Sequence, residues 1–312
     1  MQTIAYEKMR NASEESILSN SSTFTFILSV MQNILGTLVN SMLLAVYLNS
    51  NVLKRNSSNK MYASLAFVDL STSILFLHKI AFDQYVNVSR SFFGHMYCRV
   101  IFSTYMMWGF IATSWFHILL ITLERYIAVS YPIIYKTFTN SIPTNRSLIL
   151  LSYILGFASV WYDVEVAKAG NGGCIYLLPN WSYSMKLLLL FSYTGFVALV
   201  SLTITSMYSV IVWKVLFKTK RSNENISKSQ QRATTICIVL VAEFIVCSFP
   251  NAIYVLLAQL DDILHLEWGI GLSGSIYTIS LQLINASSII NPCVYIICNA
   301  NFHTAFLQLI KF

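Results

Sequence analysis

The chain has 312 residues, is 56% hydrophobic, carries only 11% charged residues and has a formal net charge of +7. Soluble domains carry about 25% charged residues, so most of this surface is not built for water, and a pair of soluble domains does not fit. The basic residues are divided among separate short loops, which suits membrane topology and lipid contact and argues against a nucleic-acid surface.

The chain opens with "MQTIAYEKMRNASEESILS", which is polar and acidic and lacks an apolar core followed by a small-residue cleavage site. No signal peptide is expected, so the first span does its own targeting. Uncharged runs then cover Ser16 to Leu53, Val100 to Leu123, Leu187 to Trp213 and Gly269 to Phe302. Each exceeds the roughly 20 residues that a helix needs to cross hydrocarbon. Three further runs complete seven: 61–82, interrupted by Asp69; 147–167, which is short; and 234–260, which contains Glu243. Polar linkers and the lack of short alternating strands favour helices over a β-barrel. The expected fold is an all-α membrane protein, a seven-transmembrane helix bundle over 24–298 after an N-terminal segment, 1–23. At the end, "NANFHTAFLQLIKF" sets Phe302, Phe306, Leu309 and Ile310 at helical spacing. That pattern predicts a short amphipathic eighth helix over 299–312, lying on the membrane.

Orientation follows from Lys and Arg. One set of segments holds Lys54, Arg55, Lys60, Arg125, Lys136, Arg146, Lys214, Lys218, Lys220, Arg221, Lys228, Arg232 and Lys311. The other holds Lys8, Arg10, Lys79, Arg90, Arg99, Lys168 and Lys186. Thirteen against seven places the first set, and the C-terminus, in the cytoplasm and the N-terminus outside. Asn11, Asn20, Asn87 and Asn180 open glycosylation sequons in the outer segments, although Asn56, Asn145 and Asn225 open similar triplets inside. Of six cysteines, only Cys98 and Cys174 lie at the outer, oxidising face. A disulfide between them is the leading reading, and two unrelated free thiols are the alternative.

Acids within a bilayer cost about 2.5–3.5 kcal/mol on insertion scales, so each needs a reason. Asp69 sits near the middle of the second span, and Asn40, Ser114, Ser287, Ser288 and Asn291 lie at comparable depths. They could converge on Asp69 around a small cation or waters, or form a polar network that only joins helices. Glu243 lies two helical turns before Pro250, which should kink the sixth span, and is expected to face the bundle interior.

"ERYIAVSYPIIY", residues 124–135, resembles the end of the third helix and the second inner loop of rhodopsin-like G-protein-coupled receptors. "SSIINPCVYIICNANF" is similar to that family's N-P-x-x-Y and the short helix after it. Asn40, the "LAFVD" ending at Asp69, Tyr208 before a basic run, and "FIVCSFP" match further motifs in order along essentially the whole chain. The resemblance implies a receptor, not an enzyme, in the cell membrane, passing binding of an extracellular ligand to a heterotrimeric G protein. It implies a switch made of Glu124, Arg125, Tyr126, Tyr208, Asn291, Pro292 and Tyr295, and admits a sodium ion near Asp69 with no other cofactor. An ion pair at the membrane edge can exchange partners, which suits a switch.

The chain departs from the family at the sensing end. Ser248 replaces the sixth-helix tryptophan, the fifth span lacks a proline, and Tyr153 is the aromatic nearest the place of the fourth-helix tryptophan. Cys98 precedes Arg125 by 27 residues where the family has 25, so the third helix should start late or contain a bulge. Family positions nominate Thr104, Met107, Trp108, Ile111, Ser192, Phe196, Asn251, Val255, Tyr277 and Leu281 as pocket residues. Amine receptors carry an aspartate where this chain has Met107, which argues against an amine ligand. A peptide, steered by Asp261, Asp262 and Glu267, and a small chemosensory molecule both stay open. A transporter or channel is the alternative from another class, but no internal repeat or paired Gly/Pro interruption supports it.

Overall fold

The computed structural model describes residues 23–55, 57–82, 88–131, 133–135, 142–170, 172–176, 182–214, 228–266, 268 and 275–310. The four outer sequon asparagines, Asn11, Asn20, Asn87 and Asn180, lie outside the described residues. The elements are α1 (Thr23–Asn49), α2 (Asn51–Arg55), α3 (Ser57–Phe82), α4 (Phe92–Tyr97), α5 (Tyr105–Ser130), α6 (Ile142–Ser159), β1 (Ala167–Ala169) and β2 (Cys174–Tyr176). They continue as α7 (Tyr183–Trp213), α8 (Lys228–Cys247), α9 (Phe249–Leu264), α10 (Ser275–Cys298) and α11 (Ala300–Ile310). Stretches within α1, α3, α5, α7, α8–α9 together and α10 are long and apolar enough to span a membrane, and the apolar part of α6, Arg146–Ser159, is shorter. Helices are the expected solution, because they satisfy backbone polar groups internally where no water is available. Phe24, Phe67, Leu150, Phe191, Leu202 and Ile276 point outward, an arrangement stable in lipid rather than water.

The bundle closes by neighbour contacts: α10 on α1, α1 on α3, α3 on α5, and α8 on α10. At its centre α5 touches α3, α6, α7 and α8 and carries buried residues on every face. The α5–α6 approach is closest where glycines remove side chains. A Cβ on Gly156 would stand 2.2 Å from Thr113 Oγ1 and 2.7 Å from the Thr113 backbone nitrogen, and one on Gly109 would stand 2.4 Å from the Phe157 ring. Small residues that let helix backbones meet are the usual device where lipid supplies no hydrophobic drive between helices. A polar knot reinforces the same region. His117 is fully buried, with Nε2 2.8 Å from Ser64 Oγ and Nδ1 3.2 Å from Ser152 Oγ. The Tyr153 hydroxyl lies 3.2 Å from Ser64 Oγ, and its ring meets His117 edge-on. Tyr153 and His117 together thus tie α3, α5 and α6 where the family tryptophan is missing.

The two extra residues between Cys98 and Arg125 are absorbed above α5. Cys98–Phe102 forms a π turn, closed by Ser103 N–H donating to Cys98 O at 2.9 Å. Thr104 follows at φ 69°, a left-handed backbone that a β-branched residue seldom adopts, and α5 begins only at Tyr105. Cys98 bonds to Cys174, with 5.4 Å between the Cα atoms. The bond fastens the antiparallel β1–β2 hairpin over this end of the bundle. In the sixth span the helix breaks at Ser248, with Pro250 in the first turn of α9. At the other end of the chain, Asn299 Oδ1 accepts from Asn301 N–H at 3.1 Å and so starts α11, whose Phe302 is fully buried. Substitution Gly156→Leu is expected to force α6 off α5 and cost about 1–3 kcal/mol. Lower thermal stability in detergent and reduced surface expression would register it; wild-type values for both would contradict the close approach.

Candidate functional site

Opposite the disulfide, α5 delivers Glu124 and Arg125 to the start of α3. Glu124 is 2% exposed and its carboxylate is held from three sides. The Arg125 guanidinium lies 3.3 Å from Oε2, and Ser58 Oγ donates to Oε1 at 2.5 Å. Tyr135 Oη donates to Oε1 at 3.1 Å. Arg125 Nη2 in turn donates to Ser58 Oγ at 2.5 Å, so one hydroxyl bridges acid and base. Burial, and then the charge of Glu124, raise the Tyr135 phenol above its ordinary value, which keeps it a donor. Arg125 is turned into the protein, its side chain only 14% exposed. Nearby, Tyr126 meets Tyr131 edge-on, and the Lys214 ammonium lies 5.7 Å from the Tyr131 ring centre. In α10, Pro292 sits inside the helix and Tyr295 is fully buried, stacked 4.4 Å from Tyr62 of α3. Tyr208 of α7 packs half-buried against the same core.

Midway through the bundle, Ser114 Oγ donates to Asp69 Oδ1 at 3.3 Å and Asn291 Nδ2 to Oδ2 at 3.0 Å. Asn40 stands apart from that carboxylate, donating instead to the carbonyls of Gly36 at 2.8 Å and Ser288 at 2.7 Å. Ser288 therefore joins through its backbone, and Ser287 is only half-buried. Glu243 is 5% exposed and faces the interior, and neither carboxylate oxygen has a hydrogen-bond partner among the described residues.

Residues of α5, the end of α6 and the turn after it, α7, α9 and α10 enclose a cavity of about 400 Å³. Its walls include Trp108, Ile111, Phe196, Val255 and Tyr277, as nominated from sequence. The other nominees lie elsewhere. Met107 is 5% exposed in the core, and Asn251 is buried and donates to Ser280 Oγ at 2.9 Å. Ser192 turns its hydroxyl back to the Leu189 carbonyl at 2.9 Å on an exposed face. Thr104 is taken up by the turn above α5, and Leu281 is half-buried in α10 away from the lining. The late start of α5 is the physical reason that family spacing misleads at Thr104.

Sequence reasoning passed over several residues that line the cavity. Trp115 forms part of its wall and touches Phe244 of α8 edge-on, with ring centres 5.9 Å apart. It also stacks on Phe196 of α7 at 6.0 Å. Ser248, in place of the family tryptophan, is buried and lines no part of the cavity. Tyr162 and Asp163 reach the cavity from the 3-10 turn after α6, together with Tyr193, Gln259 and Asp262. Burial pushes the Asp163 carboxyl up to about 7. Burial, and then the charge of Asp163, raise the Tyr162 phenol. Asp262 is paired with Lys186 at 2.7 Å. Only the clustering of "WYD" just past an apolar run could have marked the Asp163 turn in advance.

Residues 39–295 match the family described as 7 transmembrane receptor (rhodopsin family). The trace amine-associated receptor 7c of Rattus norvegicus is 29% identical over 278 residues, covering 81% of this chain and 72% of that protein. The histamine H2 receptor of Canis lupus familiaris is 24% identical over 307 residues, covering 93% and 79%. The galanin receptor 2b of Danio rerio is 23% identical over 311 residues, covering 95% and 77%. A family match over most of the chain, a helical bundle that spans the membrane and an acid–base pair held at one rim agree: the chain belongs to the rhodopsin family and is a G-protein-coupled receptor.

Proposed function

We propose that this receptor senses a small molecule in the cavity between α5, α7, α9 and α10 and reports it to a heterotrimeric G protein at the Arg125 face. The observation that carries the reading is the cavity itself. At about 400 Å³, with Trp108, Trp115, Tyr162, Tyr193, Phe196 and Tyr277 in its walls, it has the scale and lining of a small-molecule site rather than a peptide groove. The relatives are named for trace amines, histamine and galanin, so likeness alone does not choose between ligand sizes. In this reading the hairpin face and N-terminus are extracellular, the Arg125 face and α11 are cytoplasmic, and the protein sits in the cell membrane with sugars on the outer sequons.

Trp115 is the natural coupler. A ligand pressing on it displaces Phe244, hence α8, and an outward movement of α8 opens room for Arg125 to leave Glu124 and Ser58 and meet the G protein. Tyr208 and Tyr295 lie on the helices that would line that opening. The Asp69 cluster fits a small hard cation such as sodium, because Ser114 and the Asp69 carboxylate offer oxygen ligands and Asn291 Oδ1 is buried without a hydrogen-bond partner among the described residues.

The reading is tested by a Gα-panel activation assay in cells, with surface expression measured alongside. Arg125→Ala is expected to remove signalling at least tenfold at wild-type surface levels; unchanged signalling would falsify the switch. Ser58→Ala removes the hydroxyl bridge, worth about 1 kcal/mol, and should raise ligand-independent signalling roughly fivefold. A silent Ser58→Ala receptor at normal expression would count against the bridge. In membranes from these cells, exchanging sodium for potassium should raise basal G-protein activation in the wild type and do nothing in Asp69→Asn. Equal responses of the two proteins would remove the cation from the cluster.

A further inference from the structure

We propose that the cavity takes an organic cation, and that its counter-ion is the Asp163 carboxylate at the end of α6 rather than any group on α5. The proposal rests on the small-molecule reading above and specifies the ligand's chemistry. Two carboxylates line the cavity, Asp163 and Asp262, with no Lys, Arg or His among the lining residues. Asp262 is already satisfied, since Lys186 holds it at 2.7 Å. Asp163 has no cationic partner and no side-chain hydrogen bond among the described residues. It is half-buried and forms part of the cavity lining. An ionised acid in that setting is poorly solvated, which is why its carboxyl is pushed up to about 7, and a cation placed in the cavity restores what water would have supplied.

Two further features have the same sign. Gln259 Oε1 is buried at the cavity wall without a hydrogen-bond partner among the described residues, so the wall presents an acceptor that an N–H group would satisfy. Trp108, Tyr162, Tyr193 and Tyr277 supply rings to the same walls, and the faces of such rings attract cations by their quadrupoles. Acceptors and π faces without a basic group disfavour an anion and leave a neutral apolar ligand with two polar groups unmatched. Met107 on α5 is buried in the core and contributes nothing to this balance, so the missing aspartate there does not exclude a cationic ligand.

The test labels the cavity with charged probes on intact cells expressing the full chain. Ala258→Cys puts a thiol on the cavity wall, and the unmodified receptor corrects for its native cysteines. Two membrane-impermeant methanethiosulfonates are compared, one bearing a trimethylammonium group and one a sulfonate, with each rate divided by its rate on a small thiol in solution. The corrected cation-to-anion ratio should exceed unity by about tenfold, as expected of a focusing acid at a low-dielectric wall. Adding Asp163→Asn should return it to near unity, and Asp163→Glu should keep most of the preference. A ratio near unity in Ala258→Cys, or one that Asp163→Asn leaves unchanged, overturns the proposal while leaving a small-molecule cavity in place. A thiol that neither reagent reaches, at normal surface expression, overturns both the proposal and the cavity reading beneath it.

Discussion

A carboxylate stripped of water at the edge of an apolar bundle is stable only while its charge is answered, and Glu124 is answered by Arg125, Ser58 and Tyr135 together. The arrangement fixes α5 against the start of α3, and it explains why charges sit where a hydrophobic run ends. Each partner is individually replaceable, because the site lies close to water and the guanidinium can be solvated as it moves. One bridging hydroxyl thus adds hydrogen bonds to both partners beside their Coulomb attraction.

The deeper polar groups obey the same rule in different ways. Asp69 is met by Ser114 and Asn291, and His117 by Ser64 and Ser152. Glu243 faces the interior with neither oxygen in a hydrogen bond of ordinary length among the described residues, and the Asn40, Asn285 and Asn291 side-chain oxygens share that condition. Trp115 lies on the same central helix as Ser114 and His117, so polar anchoring and aromatic contact share one scaffold. An aromatic contact between Trp115 and Phe244 can slide, whereas a hydrogen-bonded knot resists displacement.

The membrane class, the spans and the disulfide were legible in the sequence because uncharged run length and cysteine placement are local properties. The 27-residue spacing before Arg125 announced a distortion, and the π turn with left-handed Thr104 is its physical form. Ser58 was not legible, since a serine near a helix start has many uses and its partner is 66 positions away. Two thirds of the cavity lining escaped. Family positions reach the cavity at Trp108, Ile111, Phe196, Val255 and Tyr277, miss it at Thr104, where helix phase is broken, and also miss it on regular helices at Met107, Ser192, Asn251 and Leu281; Asp163 stands in a turn, where no helical period applies.

The π turn and Thr104 leave α5 as a rod of 26 residues, about 39 Å long, jointed just below its disulfide tether. Above the joint the chain is anchored to the hairpin; below it the backbone runs without interruption from Trp108 at the cavity to Arg125 at the opposite rim. A jointed rod transmits torsion. A small roll of α5 turns Trp108, Trp115 and the Glu124–Arg125 pair through one common angle while the tethered cap stays where it is.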